Sequence, residues 1–189
     1  MIHRFFFELR YLLGDARWDT GVSPPELIDY LREHPPGRAL DVGCGTGTNS
    51  MTMAGFGWSV LGIDVSTLAV HFARRKARLS QADVHFKRCD FTRIGAQAQP
   101  FDFVLDLGCL HTLPRGQRSA YKHILRRSTT TGSDYLLYTW LKVDPDDALE
   151  APTESELRDL LHPEFELTDL SLGSDHEHTS AWLSATRFA

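Results

Sequence analysis

A short apolar run that ends in an acidic residue and alternating glycines is the stretch of the chain best suited to chemistry. Residues 40–47 read LDVGCGTG, with Asp41 two positions before the first glycine. Glycines at this spacing leave backbone N–H groups uncovered, so that a ligand can approach them closely. A dinucleotide fingerprint would read Gly-x-Gly-x-x-Gly, but position 48 is Thr48. The pattern predicts a strand that ends in a ligand-binding turn and continues as a helix.

The next acidic residue along the chain, Asp64, strengthens this interpretation. It follows the apolar residues 58–63, where the second strand of a βαβ unit would end. A carboxylate at that point can accept hydrogen bonds from both hydroxyls of a ribose. The acidic residues and the glycines together favour a ligand that contains a nucleoside. A glycine turn that merely joins two structural elements is the alternative.

Residues 40–47 and Asp64 resemble the class I S-adenosylmethionine-dependent methyltransferases, whose first motif reads hydrophobic-Asp/Glu-x-Gly-x-Gly-x-Gly. The resemblance extends from about residue 39 to the end of the chain. It implies a Rossmann-like α/β fold, a doubly wound and mostly parallel seven-stranded sheet that ends in an antiparallel β-hairpin. It also implies S-adenosyl-L-methionine as the cofactor and methyl transfer as the reaction.

The resemblance assigns parts of the cofactor to particular residues. Asp41 would meet the amino group, Asp64 the ribose and Asp90 the adenine amino group. Val65 and Phe91 would flank the adenine ring, and the glycine loop would pass close to the homocysteine portion. Asp64 and Asp90 could instead be turn residues at strand ends. The implied cofactor-binding residues are Trp18, Asp41, Gly43, Cys44, Gly45, Gly47, Asp64, Val65, Asp90, Phe91 and Leu107.

The amino-terminal segment carries a narrower resemblance. Residues 18–21 (WDTG) and 106–114 (DLGCLHTLP) are similar to small methyltransferases of the thiopurine and tellurite-resistance groups. That similarity implies an aromatic segment that covers the cofactor, with Trp18 against the sulfonium or the methionine chain. We therefore expect one domain over residues 1–189, with a helical lid at 1–35 and the Rossmann-like core at 36–189. A core position for Trp18 is the alternative.

Methyl transfer is an in-line displacement, so that alignment of the acceptor and removal of water can supply much of the catalysis. His111 is the best candidate for a base, because it follows the fourth strand and imidazole titrates near neutrality. A purely structural hydrogen bond is the alternative role. Asp106 is the next candidate, or a buried structural residue. His176 and His178 are too few ligands for a closed metal site, and we predict no metal.

The acceptor is predicted to be a small molecule, methylated at sulfur, oxygen or nitrogen. Residues 106–109 stand where an Asn/Asp-Pro-Pro-Tyr/Phe motif would indicate amino-methylation of bases or glutamine amides. The chain leaves little room for a recognition domain before the first strand. We expect the amino-terminal lid to enclose the acceptor, with Trp18 at its centre and His111 facing it across the site.

Alternating strands and helices must position these residues. Such alternation places helices on both faces of a parallel sheet, and the ligand lies beyond the carboxyl ends of the strands where the winding reverses. A polar loop is predicted from about residue 144 to residue 152. Parallel strands are predicted at 38–42, 58–63, 84–87, 101–107 and 135–141, and an antiparallel pair at 165–172 and 179–188.

Local signals mark the helices. Residues 2–13 are amphipathic, and Ser23 is a suitable N-cap for a helix that begins at Pro24 and runs to about Leu31. Thr153 and Glu156 form a capping box. The helix after the second strand should bury Val65, Leu68, Ala69, Phe72 and Ala73 and expose Arg74, Arg75, Lys76 and Arg78. We interpret this basic face as solvated rather than as an RNA or phosphate contact.

Composition limits the partners. With 189 residues the chain is long enough for one full α/β core, and a net charge of −5 argues against nucleic acid as a partner. No apolar run reaches the length of a membrane span. Cys44, Cys89 and Cys109 cannot all pair and match no zinc spacing, which indicates a reduced cytoplasmic protein. We expect a monomer or homodimer without membrane contacts.

Two rival functions stay open at this stage. One is a non-catalytic module that binds the cofactor or a partner protein, with the basic face at residues 74–78 as its contact surface. The other is an NAD-dependent oxidoreductase, because glycine-rich strand–helix turns also hold dinucleotides.

Overall fold

The computed structural model describes residues 2–80, 82–95, 97–144, 148–175 and 177–189. Its strands are β1 (Arg38–Val42), β2 (Ser59–Asp64), β3 (Val84–Arg88), β4 (Phe101–Leu107), β5 (Thr129–Leu141), β6 (Phe165–Asp175) and β7 (His178–Arg187). Its α-helices are α1 (Ile2–Leu13), α2 (Pro25–Glu33), α3 (Thr48–Gly55), α4 (Thr67–Ser80), α5 (Arg118–Ser128) and α6 (Glu154–Leu161). The strands form one mixed sheet in the order β3-β2-β1-β4-β5-β7-β6. The predicted fold class is confirmed.

Two compact units divide the chain, Met1–Phe91 and Thr92–Ala189. In the first unit β1, β2 and β3 are parallel, with Val42 opposite Ile63 and Asp64 opposite Arg88. Four of the five β1 side chains are buried, as expected for a parallel strand that is covered on both faces. The carboxyl ends of β1 and β2 therefore meet at the glycine loop.

The second unit combines a parallel pair with the antiparallel end of the sheet. β4 and β5 are parallel, whereas β7 is antiparallel to both β5 and β6. Thr153 and Glu156 form the predicted capping box at the start of α6. That helix buries three leucines, and the predicted hairpin is confirmed as β6 and β7.

The start of α2 differs from the prediction. Pro24 is the N-cap and Pro25 is the first helical residue, and no side chain caps the helix. Ser23 was predicted to be the N-cap, but its hydroxyl donates to Thr52 Oγ1 at 2.8 Å instead. A tertiary hydrogen bond has therefore replaced the local one. Proline at the first helical position also removes one of the N–H groups that a helix start leaves unsatisfied.

The buried face of α4 also differs from the prediction. Its buried residues are Ala69, Val70, Ala73 and Ala77, whereas Phe72 is exposed. The apolar residues of α4 span a wide arc, and the smaller ones pack against the sheet. The helix backbone can therefore approach the sheet closely, and the bulky ring faces away from it.

Two predictions fall partly on residues outside the described ranges. The polar loop includes residues 145–147, and the histidine pair includes His176. Among the described residues, no helix combines the length and apolar character needed to cross a bilayer. Within the same ranges no group of three or more His, Cys, Asp or Glu side chains is placed to hold a metal ion.

Candidate active site

The glycine loop is held to the end of β2 by backbone hydrogen bonds. The N–H groups of Gly43 and Cys44 both donate to the Ile63 carbonyl at 2.9 Å. Gly47 has a φ of +85°, and a Cβ there would lie 2.6 Å from Phe86 Cζ. Only glycine satisfies both conditions without strain. The predicted turn between β1 and α3 is therefore fixed in position and keeps a bare backbone.

Asp41 lies near the end of β1 and is almost fully buried, with 2% exposure. The Ser50 hydroxyl donates to its Oδ2 at 2.5 Å. Burial raises the pKa of Asp41 to about 7, the Ser50 hydrogen bond opposes that rise, and the negative charge of Asp64 adds to it. The carboxyl group is therefore poised to ionise when a cation approaches.

Asp64 links the end of β2 to the loop. Its Oδ2 accepts from the Gly45 N–H at 2.9 Å, and its Oδ1 accepts from the Ser66 N–H at 2.7 Å. Burial raises its pKa, although the hydrogen bonds from Ser66 and Gly45 oppose that rise, and the charge of Glu8 adds to it. Asp64 thus does more than form a turn at its own strand end, because it also orients the glycine loop.

The remaining predicted cofactor residues lie at the ends of strands. Asp90 and the buried Phe91 follow β3, and Val65 lies between β2 and α4. Asp90 and Val65 therefore follow neighbouring parallel strands, because β2 pairs with β3. Leu107 is the half-buried last residue of β4. Their roles toward a cofactor stay predictions.

Glu8, on α1, holds the first turn of α4. Its Oε1 accepts from the Thr67 N–H at 2.8 Å, and its Oε2 accepts from the Leu68 N–H at 3.1 Å and the Ser66 hydroxyl at 2.5 Å. Burial would raise the pKa of Glu8, but these hydrogen bonds prevail and lower it to about 2. Free N–H groups at a helix start favour an anion, so this carboxylate ties α1 to α4.

An aromatic cluster on the amino-terminal segment lies next to the glycine loop. The Trp18 Nε1–H donates to the Tyr11 hydroxyl at 2.8 Å, and the Trp18 ring packs edge-on against Phe7 with centroids 5.4 Å apart. Tyr11 is buried, and its hydroxyl lies 2.9 Å from where a Cβ on Gly45 would be. Burial raises the pKa of Tyr11, with the charge of Asp64 as the next cause. Trp18 is 46% exposed, so the core alternative is wrong.

Asp19 makes a second connection between this segment and the loop. The Thr46 hydroxyl donates to its Oδ2 at 2.7 Å, and the Lys76 Nζ donates to Thr46 Oγ1 at 2.5 Å. Arg74 also has a structural partner, because its guanidinium donates to the Phe86 carbonyl. These contacts give two side chains of the basic face of α4 a local role.

His111 lies in a short 3₁₀ turn after β4. Its ring stacks on Trp140 with centroids 4.5 Å apart and planes 4° apart, and its Nδ1 accepts from the Trp140 backbone N–H at 3.0 Å. Burial lowers the pKa of His111 to about 4, against the charge of Asp175, and the charge of His178 adds to the lowering. The imidazole is therefore neutral at pH 7.

Asp106 has the structural role that was its alternative. It is fully buried, and its Oδ1 accepts from the backbone N–H groups of Cys109 and Leu110 at 2.7 and 3.3 Å. Its Oδ2 accepts from the Tyr121 hydroxyl at 2.6 Å, and Tyr121 is hydrogen-bonded to Tyr135. Asp106 thereby shapes the turn that carries His111.

Comparison with known families identifies this arrangement. Residues 39–132, from β1 through the glycine loop to the first part of β5, match the family model described as "Methyltransferase domain". Residues 39–132 carry a methyltransferase domain. The family predicted from residues 40–47 and Asp64 is confirmed.

Relatives of this methyltransferase domain agree with the assignment. An uncharacterised methyltransferase of Schizosaccharomyces pombe is 34% identical over 82 residues, which are 43% of this chain and 57% of that protein. The match thus spans little more than half of that relative's length. A 2-heptyl-1-hydroxyquinolin-4(1H)-one methyltransferase of Mycobacteroides abscessus is 23% identical over 82% of this chain and 70% of its own.

A solved structure shows the same fold over almost the whole chain. The 1,6-didemethyltoxoflavin-N1-methyltransferase of Burkholderia thailandensis superposes with a TM-score of 0.80 at 20% identity. The match covers 98% of this chain and 87% of that one. At this level of identity the likeness establishes the shared architecture of the methyltransferase domain.

Sequence reasoning missed several residues around the methyltransferase loop. The sequence analysis assigns no role to the side chains of Glu8 and Asp19. Both act across distances of 27 to 60 positions along the chain, for which no local signal exists. The Tyr11–Trp18 hydrogen bond also lacked a helical signal, because α1 ends at Leu13 and Trp18 lies beyond it.

Proposed function

We propose that this protein transfers a methyl group from S-adenosylmethionine to a sulfur, oxygen or nitrogen atom of a small-molecule acceptor. The observation that carries the proposal is the placement of two carboxylates, Asp41 and Asp64, at the ends of neighbouring parallel strands around the glycine loop. Asp41 is almost fully buried, and its Oδ2 accepts from the Ser50 hydroxyl. Asp64 holds the loop from the β2 side.

The residues present fit the cofactor by their chemistry. Asp41 would pair with its ammonium group, because a cation relieves the cost of a buried carboxylate. Asp64 would accept from the ribose hydroxyls, and Asp90 from the adenine amino group. Gly43, Cys44, Gly45 and Gly47 would leave room for the homocysteine portion, and Val65, Phe91 and Leu107 would supply apolar contacts. When bound, the cofactor supplies a methyl group on a positively charged sulfur.

The contributions of the chain to the reaction are alignment and exclusion of water. Residues 1–35 act as the lid in this proposal, which the contacts of Glu8, Tyr11 and Asp19 with α4 and the glycine loop support. Trp18 offers an indole face to a cation. His111 faces the acceptor. Preorganised contacts of this kind reduce the entropy that alignment would otherwise cost.

The nature of the relatives supports a small acceptor. The Mycobacteroides abscessus relative acts on a hydroxyquinolone, and the Burkholderia thailandensis structure holds 1,6-didemethyltoxoflavin with S-adenosylhomocysteine. Both named acceptors are small molecules. We propose an acceptor of comparable size for this chain.

Partners and location complete the proposal. We propose that the protein has no nucleic-acid or membrane partner, because its net charge is −5 and two basic side chains of α4 are engaged within the protein. Cys44, Cys89 and Cys109 cannot all pair and match no zinc spacing, which supports a reducing cytoplasmic location. A monomer or a homodimer stays our prediction for the oligomeric state.

Production of S-adenosylhomocysteine from S-adenosylmethionine tests the proposal. The full chain is incubated with thiols, phenols, amines, carboxylates and hydroxylated heterocycles, and the product is followed by liquid chromatography with mass spectrometry. We expect turnover with at least one class and a matching methylated acceptor. Asp64→Ala serves as the control for contaminating enzymes. Binding of the cofactor without turnover on any class would favour the non-catalytic module instead.

A further inference from the structure

The position of the proton on His111 follows from one hydrogen bond. The Trp140 backbone N–H lies 3.0 Å from His111 Nδ1. An amide N–H can only donate, so Nδ1 must present its lone pair. A neutral imidazole carries one ring proton, and that proton is therefore on Nε2. Nδ1 is already occupied, and Nε2 has no lone pair with which to accept a proton.

The surroundings of His111 hold the ring in this state. The Trp140 ring on which it stacks is itself fixed, because the indole Nε1–H donates to Asp175 Oδ2 at 3.1 Å. The Tyr138 hydroxyl donates to the same oxygen at 2.7 Å. His178 packs against Trp140 with centroids 4.5 Å apart. Tyr138 and Trp140 lie near the carboxyl end of β5, Asp175 is the last residue of β6, and His178 is the first residue of β7.

The charges near the ring do not favour imidazolium. The charge of Asp175 raises the pKa of His111, but the Oδ2 of Asp175 also accepts from the Tyr138 hydroxyl and the Trp140 indole N–H. Burial and the charge of His178 act in the opposite direction and prevail. The ring is therefore a neutral donor over the physiological range of pH.

We propose that His111 positions the methyl acceptor by donating its Nε2–H to it, and that the acceptor reaches the site already ionised. This proposal rests on the proposed methyl transfer. The acceptor class is a thiol, hydroxyl or carboxyl group acidic enough to be an anion near neutral pH. A lone pair of that anion forms the bond to the methyl carbon while the bond between this carbon and the sulfonium sulfur breaks. The electron pair of the broken bond stays on the sulfonium sulfur, which becomes a neutral thioether. No proton is transferred, so no base is required.

The tautomer can be measured without any turnover. Long-range ¹H–¹⁵N spectra of the full chain labelled with [¹⁵N]histidine distinguish Nε2–H, Nδ1–H and imidazolium rings, and His111→Gln assigns the signal. We expect His111 to be the Nε2–H form at pH 7 and to remain so at pH 5.5. An Nδ1–H tautomer or an imidazolium at pH 7 would overturn the proposal, whether or not the protein transfers methyl groups.

Two matched variants of His111 separate hydrogen-bond donation to the acceptor from the hydrogen bond that anchors the Trp140 backbone. Gln places an N–H donor near the position of Nε2, whereas Asn places an acceptor near the position of Nδ1 and can keep the Trp140 hydrogen bond. With acidic thiols such as thiophenols as acceptors, we expect His111→Gln to stay within about threefold of the wild-type rate. His111→Asn should lose about 10- to 100-fold, the usual effect of deleting a hydrogen bond to a charged group.

The reverse order, with Asn active and Gln inactive, would show that His111 only anchors Trp140 and would overturn the proposal. Equal losses in the two variants would also overturn it, provided that thermal melting shows both to be folded. A series of thiols adds a third readout, because the rate should fall once the thiol pKa exceeds the assay pH. A wild-type protein without turnover would refute the proposed function, while the spectra would still decide the state of His111.

Discussion

At the scale of single residues, the site depends on carboxyl groups kept away from water. Asp41 has 2% exposure and accepts a hydrogen bond from the Ser50 hydroxyl, and its burial makes the charged form costly when no cation is near. Asp64 accepts hydrogen bonds from two backbone N–H groups, which offset part of the cost of burying its charge. The two acidic residues of the motif therefore occupy different electrostatic environments. Asp41 is the one expected to change its protonation when a ligand binds.

Asp41→Asn should change how stability depends on pH. The folded pKa of about 7 lies above the ordinary value of 3.8, so the folded protein holds a proton that the unfolded chain has lost. This contribution to the free energy of unfolding falls as the pH rises from about 4 to 7, by up to about 1.4 kcal/mol per pH unit. Asn lacks the ionisation, and the variant should gain stability over wild type as the pH rises.

Urea unfolding of the cofactor-free protein between pH 5 and pH 8 measures this difference. Asp29→Asn, which alters a largely exposed carboxylate on α2, is the control for a change of net charge. A gap between Asp41→Asn and wild type that does not widen with pH would contradict the account of a buried, protonated Asp41.

At the scale of elements, polar contacts attach α1 to α4, while much of the apolar face of α1 is exposed. Phe5, Phe6, Leu9, Leu12 and Leu13 are between 41% and 71% exposed. Glu8 instead satisfies N–H groups in the first turn of α4. A helix held in this way can separate from its neighbour at a lower cost than one that buries a broad apolar surface. This behaviour is what a lid requires.

Glu8→Ala should loosen α1 and leave the sheet intact. The carboxylate accepts from two N–H groups and one hydroxyl, and its loss should cost about 1 kcal/mol after allowance for solvent screening. Because its folded pKa of about 2 is below the ordinary 4.5, its contribution is present above pH 4.5 and disappears as the pH falls toward 2. Hydrogen exchange at Thr67, Leu68 and the amides of α1 should accelerate in the variant.

Glu33→Ala, at the exposed end of α2, provides the control and should change stability by less than about 0.5 kcal/mol. Unchanged exchange along α1 in Glu8→Ala would contradict the attachment described here. Global unfolding of the variant would instead indicate that α1 belongs to the core.

The elements also show which features the sequence could predict. The glycine loop was predictable because a positive φ at Gly47 and its close contact with Phe86 leave glycine as the fitting residue. The capping box of α6 was predictable because both partners lie within one turn. Ser23 was mistaken for an N-cap because its partner, Thr52, is remote in sequence. Phe72 was misplaced because the apolar arc of α4 contains two possible faces.

The candidate site likewise contains residues that the sequence could predict and contacts that it could not. Asp41, the glycines and Asp64 form a pattern that the residues reveal by type and spacing. The tautomer of His111 depends on a backbone N–H supplied by β5, 29 positions further along the chain. The nature of that contact is set by tertiary structure, and no property of residues 106–114 indicates it.

At the scale of the whole molecule, the family match includes His111, whereas Trp18 and the side chains that surround the His111 ring lie outside it. The match covers residues 39–132 and includes the glycine loop and both motif carboxylates. Trp18 precedes it, and Trp140, Asp175 and His178 follow it. A constant cofactor site flanked by variable segments is a common way for one fold to serve several acceptors. Specificity is therefore expected to depend on the flanking segments.

Isothermal titration calorimetry of the full chain is the most direct test of the central claim. We predict saturable binding of S-adenosylhomocysteine at one site per chain and no saturable binding of NAD. Asp64→Ala should lose about 2–3 kcal/mol of that affinity, because a charge-assisted pair of hydrogen bonds to the ribose disappears. Saturable binding of NAD without binding of S-adenosylhomocysteine would contradict the account and indicate a dinucleotide-dependent enzyme.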